Sequence, residues 1–179
     1  MNWKRMVQIL AGVAALVMAA SLPVAAQVAP ERPGIPGNAS QTGYASALAK
    51  EAQGWLADLI RINTSNPPGN EQIAAMYIAG ILAKEGIKAE ILDLMPGRSA
   101  VVARLRSAAM ADPSKALLLV AHLDTVPVDK SRWSVDPFGA VVKDGYLYGR
   151  GAIDDKGMLA ANLAAFISLK RSMARLTAT

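Results

Sequence analysis

The chain has 179 residues, no cysteine and a formal charge of +5, from 19 Lys and Arg against 14 Asp and Glu. Its length is in the range of a single domain, and the absence of cysteine excludes a disulfide framework. The basic residues are scattered along the chain, so they do not predict a nucleic-acid surface, which needs them clustered on one face.

The N-terminus, residues 1–26, has the pattern of an export signal peptide. Lys4 and Arg5 precede a mostly apolar run, residues 6–22, and small residues follow as far as Ala26. This pattern predicts cleavage after Ala26, an exported protein (periplasmic or secreted), and no stable membrane association of the mature chain. The alternative is an N-terminal anchor that is retained, which the short apolar run and the cleavage-type flank disfavour.

The rest of the chain is predicted to form a flexible leader followed by one α/β domain. Residues 27–43 are rich in Pro, Gly and small polar residues, which is typical of a leader. Within 44–179, apolar periodicity predicts helices over 44–62, 71–85 and 156–173. Strands are expected over 88–95, 99–106 and 117–121, and a hairpin over 139–148 that turns at Asp144-Gly145. The expected architecture is an open mixed sheet flanked by helices, with 117–121 as a fully buried strand.

The strand predicted over 117–121 ends in residues that can bind a metal. His122, the only histidine, follows it directly, Asp124 comes two residues later, and Asp154 and Asp155 precede the last helix. Open α/β sheets bind ligands at the carboxyl ends of their strands, and zinc sites often orient a ligating imidazole through a carboxylate. Two ordinary alternatives are a hydrogen-bonded histidine in the core and aspartates that only cap a helix.

Several charged and aromatic side chains around these motifs are expected to have structural roles. The side chains interpreted as solvated are Arg98, Arg104, Arg106 and Lys156. Trp133 and Phe138 are interpreted as packing residues of the loop after His122, because apolar residues near a site usually serve the core. The alternative for this aromatic pair is a role in shaping a substrate pocket.

Two segments carry a resemblance to a known family. They are AHLDTVPVD, which begins at Ala121, and DPFGAVVKDGYLYGRGAIDDKGMLA, which begins at Asp136. Together they resemble the zinc hydrolases of metallopeptidase family 20, and LIRINTSNPPGNE, from Leu59, is similar to a segment near the N-terminus of those enzymes. The family includes acetylornithine deacetylase, succinyl-diaminopimelate desuccinylase, aminoacylase, glutamate carboxypeptidase and carnosinase-type dipeptidases.

The resemblance implies a site and a reaction. His122 would be a ligand of one zinc, Asp154 would bridge two zincs, and Asp124 would be a catalytic residue that orients the imidazole. The implied cofactor is zinc, two ions per complete site, with cobalt or manganese as alternatives for the same ligands. The implied reaction is hydrolysis of the amide bond of a small peptide or an N-acyl amino acid by a water that both zincs activate. A cis peptide between Asp154 and Asp155, and a dimer of the full-length enzyme, are also implied.

The sequence departs from the family after its last predicted helix. The family's Glu-Glu pair, its next acidic ligand and its last histidine would follow that helix, and the printed chain ends at Thr179. One histidine and one bridging aspartate are fewer than the roughly three protein ligands of a catalytic zinc. We therefore expect the N-terminal part of a zinc-peptidase domain, incomplete at its C-terminus and inactive alone. The alternative is a truncated, inactive exported fragment with at most weak metal binding.

Overall fold

The structure of the chain is a computed structural model that describes residues 39–106 and 116–172. Its elements, in chain order, are α1 (Ala39–Arg61), α2 (Glu71–Lys84), β1 (Ala89–Met95), β2 (Arg98–Ala103), a 3-10 turn (Lys130–Arg132), β3 (Val141–Lys143), β4 (Tyr146–Tyr148) and α3 (Lys156–Arg171). The α/β class is confirmed. Within the described ranges, no helix is both long and apolar enough to cross a membrane. The predicted export signal, residues 1–26, lies outside them, as does most of the predicted leader.

All three predicted helices are present, with ends that differ by a few residues. α1 begins at Ala39, inside the predicted leader, and ends at Arg61, six residues before the first of two prolines that cannot continue a helix. α2 ends at Lys84, and Gly86 follows with a φ of 66°, the left-handed conformation that commonly closes a helix. α3 begins at Lys156, as predicted.

The strands form two separate two-stranded antiparallel sheets in the described part of the chain. β1 pairs with β2, and β3 pairs with β4. Asp144 and Gly145 join β3 to β4 with φ values of 51° and 79°, the backbone that a two-residue hairpin turn requires. The predicted hairpin at this position is therefore confirmed.

The prediction of a fully buried strand over 117–121 is wrong. These residues have no strand partner among the described residues, and Leu117, Leu118 and Val120 are 79%, 80% and 70% exposed. Such an apolar run is typical of a strand covered on both faces. The described elements provide no neighbouring strand for it, so the run lies at the surface. The sheet that we expected to be continuous is present as two hairpins.

The core lies between the three helices and the β1–β2 hairpin. α1 packs against α3, and α2 packs against β1 and β2. The buried cluster consists of Leu59, Ala74, Ile78, Ile81, Leu82, Ile87, Leu163 and Ile167. Because Leu59 lies near the end of α1 and Leu163 lies within α3, this core fixes the two helices whose ends border the candidate site.

Arg98 was expected to be solvated, but its guanidinium group forms a bidentate ion pair. Its Nε and one terminal nitrogen donate to the two carboxylate oxygens of Glu71 at 3.1 and 2.9 Å. Glu71 is the first residue of α2 and only 6% exposed. A buried carboxylate needs such a partner, so the pair attaches the start of α2 to β2.

A second arginine connects all three helices. Arg171, the last residue of α3, makes two hydrogen bonds to Glu51 of α1, both 2.8 Å long. It makes two more to Glu85, which follows α2, at 2.9 and 2.6 Å. The hydrogen bonds from Arg171 lower the pKa of both carboxyl groups, although burial acts to raise it. One guanidinium therefore neutralises part of the charge of two carboxylates.

Replacing Arg171 by methionine should lower the free energy of unfolding by about 1–2 kcal/mol, because charge-assisted bonds are lost and two carboxylates are left facing each other. Urea denaturation measures this change, with Lys170→Met, an exposed neighbour, as the control. Because the pKa of Glu51 and of Glu85 is lowered in the folded state, the contribution of Arg171 to the free energy of unfolding is present above pH 4.5, the ordinary pKa. It is lost as the pH falls through the pKa values of the folded state. Equal stability of both variants at neutral pH would contradict this account.

Candidate metal centre

The loop after α1 holds the segment that follows His122. The backbone N–H of Thr125 donates to the carbonyl of Thr64 at 3.0 Å, and the N–H of Asn66 donates to the carbonyl of Thr125 at 2.9 Å. The buried hydroxyl of Thr64 donates to the carbonyl of Leu123 at 2.7 Å. These bonds fix the backbone beside His122 to the end of α1, so the imidazole is attached to the helical core.

The structure brings together the four polar residues singled out in the sequence. His122 Nε2 lies 2.8 Å from Asp154 Oδ1, and His122 Nδ1 lies 3.1 Å from Asp124 Oδ1 and 3.0 Å from the Asp124 carbonyl oxygen. The backbone N–H of His122 donates to Asp155 Oδ2 at 3.3 Å. Asp155 occupies the N-cap position of α3 without a side-chain capping bond, and its peptide bond with Asp154 is cis. Helix capping alone therefore does not account for this pair.

Both ring nitrogens of His122 face oxygen acceptors. If Nδ1 carries the proton and donates it to Asp124, a neutral imidazole presents the lone pair of Nε2 to the Asp154 carboxylate. At 2.8 Å the two atoms are at hydrogen-bond distance, so a shared proton satisfies both, and a metal bound by both would replace that proton. The arrangement thus creates a position that attracts positive charge between His122 and Asp154.

The pKa of His122 is raised accordingly. The hydrogen bond to Asp154 is the largest cause, burial acts in the opposite direction, and the backbone bond and charge of Asp124 add to the increase. The pKa of Asp124 is lowered: burial alone would raise it, but the hydrogen bond from Asn66 and the charge of His122 outweigh burial. The two carboxylates therefore stabilise the imidazolium form relative to the neutral ring.

Asn66 is a further polar residue of this candidate site, and it was not singled out from the sequence. Its side-chain amide donates to Asp124 Oδ2 at 3.3 Å, while Asp124 Oδ1 faces the imidazole. Asn66 therefore holds the carboxylate that orients His122. The signal available in the sequence was that Asn66 lies in LIRINTSNPPGNE, the segment that is similar to one near the N-terminus of the family.

Lys156 was expected to be solvated, but it is completely buried. Its ammonium group donates to the carbonyls of Leu59 and Ile62, both at 2.8 Å, at the C-terminal end of α1. Burial lowers the pKa of Lys156 to about 8. The first residue of α3 is therefore attached to the end of α1.

Aromatic residues lie on the other side of Asp154. The guanidinium carbon of Arg150 is 5.3 Å from the centre of the Trp133 ring, which is a cation–π contact. An open cavity of about 450 Å³ is lined in part by Trp133, Tyr146, Tyr148 and Asp154. Trp133 thus packs against Arg150, and both the loop-packing role of Trp133 and Phe138 and their alternative role in a substrate pocket stay predictions.

The donor set fits part of a zinc site. An imidazole whose Nδ1 faces a carboxylate, and whose Nε2 faces a second carboxylate, is the arrangement that orients a histidine ligand. Within 39–106 and 116–172, no group of three or more His, Cys, Asp or Glu residues could hold a metal ion. His122 and Asp154 therefore suit two coordination positions, and further ligands are required.

Comparison with known proteins identifies the family. The profile of "Peptidase family M20/M25/M40" matches residues 118–179, which include His122, Asp124 and Asp154. The chain is 37% identical, over 122 residues, to a "Probable succinyl-diaminopimelate desuccinylase" of Staphylococcus aureus. The aligned region covers 68% of this chain and 28% of that protein. The chain is a homologue of the M20 metallopeptidases. It is also 40% identical over 75 residues to the acetylornithine deacetylase of Vibrio campbellii, which covers 42% of this chain and 18% of that one.

Parts of two solved M20 structures resemble the fold of this chain. The M20 family metallo-carboxypeptidase Sso-CP2 of Sulfolobus solfataricus matches with a TM-score of 0.59 and 29% identity, over 69% of this chain and 28% of that one. Human carnosine dipeptidase 1 matches with a TM-score of 0.51 and 27% identity, over 74% of this chain and 30% of that one. The chain thus spans under a third of the length of these M20 relatives.

Proposed function

We propose that this chain supplies part of the metal site of an M20 hydrolase that cleaves the amide bond of a small peptide or an N-acyl amino acid. The observation that carries the proposal is the contact of His122 with Asp154 at one ring nitrogen and with Asp124 at the other. The named relatives support the substrate class, since a desuccinylase, a deacetylase, a carboxypeptidase and a dipeptidase all act on acylated or peptide-bonded amino acids.

In this proposal each residue has a separate task. His122 and Asp154 would hold the metal, and Asp124 would keep the proton of the imidazole on Nδ1 so that Nε2 can bind. Bound zinc would polarise the amide carbonyl and acidify a water molecule. Asn66 would keep Asp124 in place, and the general base would be a carboxylate outside the described residues. Zinc is the proposed metal, two ions per complete site, with cobalt or manganese as alternatives.

The single histidine of the chain makes the proposal testable. A zinc titration of the ¹⁵N-labelled protein, followed by NMR of the imidazole, reports on His122 alone because no other histidine is present. We expect Nε2 to shift on zinc addition, with Nδ1 keeping the shift of a protonated nitrogen. No change of the ring signals, or binding through Nδ1, would contradict the proposed site.

A second proposal, an inactive exported fragment, has one observation in its favour. The described residues contain no group of three or more side chains that could hold a metal, whereas a catalytic zinc takes about three protein ligands. The purified chain with added zinc is therefore expected not to hydrolyse dipeptides or N-acetyl and N-succinyl amino acids. Turnover that is lost in His122→Ala would contradict this expectation and establish a complete site.

Zinc binding should depend on pH through the raised pKa of His122. Zinc and a proton compete for Nε2, so the apparent affinity should rise by up to about tenfold per pH unit below that pKa and level off above it. Without metal, the protonated imidazole stabilises the folded state, because the pKa of His122 is higher in the folded state than in the unfolded one. This contribution to the free energy of unfolding is complete below pH 6.5, the ordinary pKa, and is lost as the pH rises through the pKa of the folded state.

Calorimetric zinc titrations at several pH values measure the position of this change. Asp154 is the largest cause of the raised pKa, but it is also a proposed ligand, so the control must alter a different carboxylate. Asp144→Asn, in the β3–β4 turn, should leave the pH profile unchanged. A wild-type profile that is flat between pH 5 and 8, the range in which a histidine titrates, would contradict binding through the imidazole.

Export of the protein is a separate proposal that rests on residues 1–26 alone. Lys4, Arg5 and the apolar run that follows support recognition as a signal peptide, and the small residues support cleavage after Ala26. N-terminal sequencing of the protein recovered from the periplasm or the culture medium tests this proposal. A mature chain that begins at Gln27 is expected, whereas an intact N-terminus in the membrane fraction would indicate a retained anchor.

A further inference from the structure

The charge of Lys156 has an unusual position. The side chain is fully buried, and it belongs to the first residue of α3, where the partial positive charge of a helix N-terminus disfavours a cation. An apolar residue of similar length would avoid the cost of burying an ammonium group. The position of this lysine therefore calls for an explanation beyond packing.

The contacts of the ammonium group provide one. Nζ donates to the carbonyls of Leu59 and Ile62, at the end of α1 where the helix carries partial negative charge. The Leu59 carbonyl also accepts from the backbone N–H of Ile62 at 3.2 Å, so the ammonium group adds a second bond there and a bond to the next free carbonyl position at the helix end, that of Ile62. Lys156 thus joins the end of one helix to the start of another.

The turn that carries the two aspartates is packed against the same side chain. The backbone N–H of Lys156 donates to the carbonyl of Gly151 at 3.0 Å, which closes a turn around Asp154 and Asp155. Gly151 has a φ of 85°, and a Cβ atom there would lie 2.9 Å from Thr125 Cγ2 and 3.1 Å from Lys156 Cδ. The turn therefore lies between the lysine stem and the segment that follows His122.

From these contacts we infer that Lys156 is a positioning residue for the proposed metal site, which holds the turn of Asp154 and Asp155 against His122. The inference rests on the proposed function for its biological meaning. Its mechanism is purely structural: the end of α1 is fixed both to Lys156, through Leu59 and Ile62, and to Thr125, through Thr64. The turn of Asp154 and the segment of His122 are therefore both anchored at the end of α1. Loss of the ammonium group should let Asp154 move relative to the imidazole.

The test compares Lys156→Met, which keeps most of the stem but removes the ammonium group, with Lys170→Met, the same change at an exposed position of α3. The ¹⁵N signals of the His122 ring are recorded in the full chain without metal and during zinc titration, and thermal unfolding is measured in parallel. We expect Lys156→Met to shift the ring signals without metal and to weaken zinc binding by about tenfold, the lower end of the effect of losing a group that hydrogen-bonds a metal ligand directly. Lys170→Met should change neither.

The outcomes separate positioning from stability alone. A lower unfolding temperature of Lys156→Met with unchanged ring signals and unchanged zinc affinity would overturn the inference. If zinc leaves the wild-type ring signals unchanged, the proposed function fails, while the metal-free comparison still decides the positioning role. If circular dichroism shows that Lys156→Met is unfolded, Lys156→Gln, which keeps a hydrogen-bond donor on a shorter stem, is judged by the same ring signals.

Discussion

Replacing Asp154 by alanine is expected to reduce zinc binding more than any other single substitution in this chain. Its carboxylate faces His122 Nε2 at 2.8 Å and, in the proposed site, would contact both metals. His122→Ala should follow closely, because it removes the only imidazole. Asp124→Asn should keep the fold and weaken binding by about 10–100-fold, since an amide oxygen still accepts the Nδ1 proton but lacks the charge that makes the ring more basic.

Zinc content after equilibrium dialysis, together with calorimetric titration, measures this order. Asp144→Asn makes the same chemical change as Asp124→Asn at the β3–β4 turn, where asparagine before glycine is equally suitable, and should bind zinc as the wild type does. Circular dichroism of each variant shows that the fold is kept. If Asp124→Asn loses its zinc while Asp154→Ala retains it, the assigned roles of the two carboxylates are reversed.

The largest effect on stability is expected for Ile167→Ala. Ile167 is completely buried in the cluster that joins α3 to α1 and α2. Removing its three outer carbons loses burial and leaves a cavity, which together cost about 2–5 kcal/mol. Because domains of this size are stable by only about 5–15 kcal/mol, this substitution should remove a large share of the free energy of unfolding.

Chemical denaturation of Ile167→Ala and Leu169→Ala provides a matched pair on one helix. Leu169 is 40% exposed, so its truncation should cost less than about 1 kcal/mol, near the range of ordinary surface substitutions. Zinc affinity measured on the folded fraction of both variants should be close to that of the wild type, since neither side chain contacts the site. Similar losses of stability in the two variants would show that α3 is not packed as described.

The sequence predicted those features of the fold that depend on near neighbours. Helix ends follow from proline after α1 and from glycine after α2, and the β3–β4 turn follows from Asp144-Gly145. The meeting of His122 with Asp154, 32 residues apart, was expected from the strand-end and helix-start positions of their motifs and from the family resemblance. For the helix ends and the β3–β4 turn, a few adjacent residues carry the information.

Features that depend on distant partners could not be predicted in this way. Lys156 reaches carbonyls 94 and 97 residues earlier in the chain, and Asn66 reaches Asp124 across 58 residues. Arg98 was expected to be solvated because Glu71, its partner, lies 27 residues away on a different element. The strand over 117–121 failed for the same reason, because burial depends on neighbours that the run itself does not specify.

The exposed run at residues 117–120 has a consequence for the behaviour of the protein in solution. Four consecutive leucine and valine side chains at the surface, without a charge among them, have the composition of segments that nucleate intermolecular β-structure. We therefore expect association through this exposed run, as well as unfolding of the helical core, to limit the solubility of the chain. The chain should precipitate in a concentration-dependent way below its unfolding temperature. The variant Leu118→Lys, which places a charge within the apolar run, should reduce this precipitation.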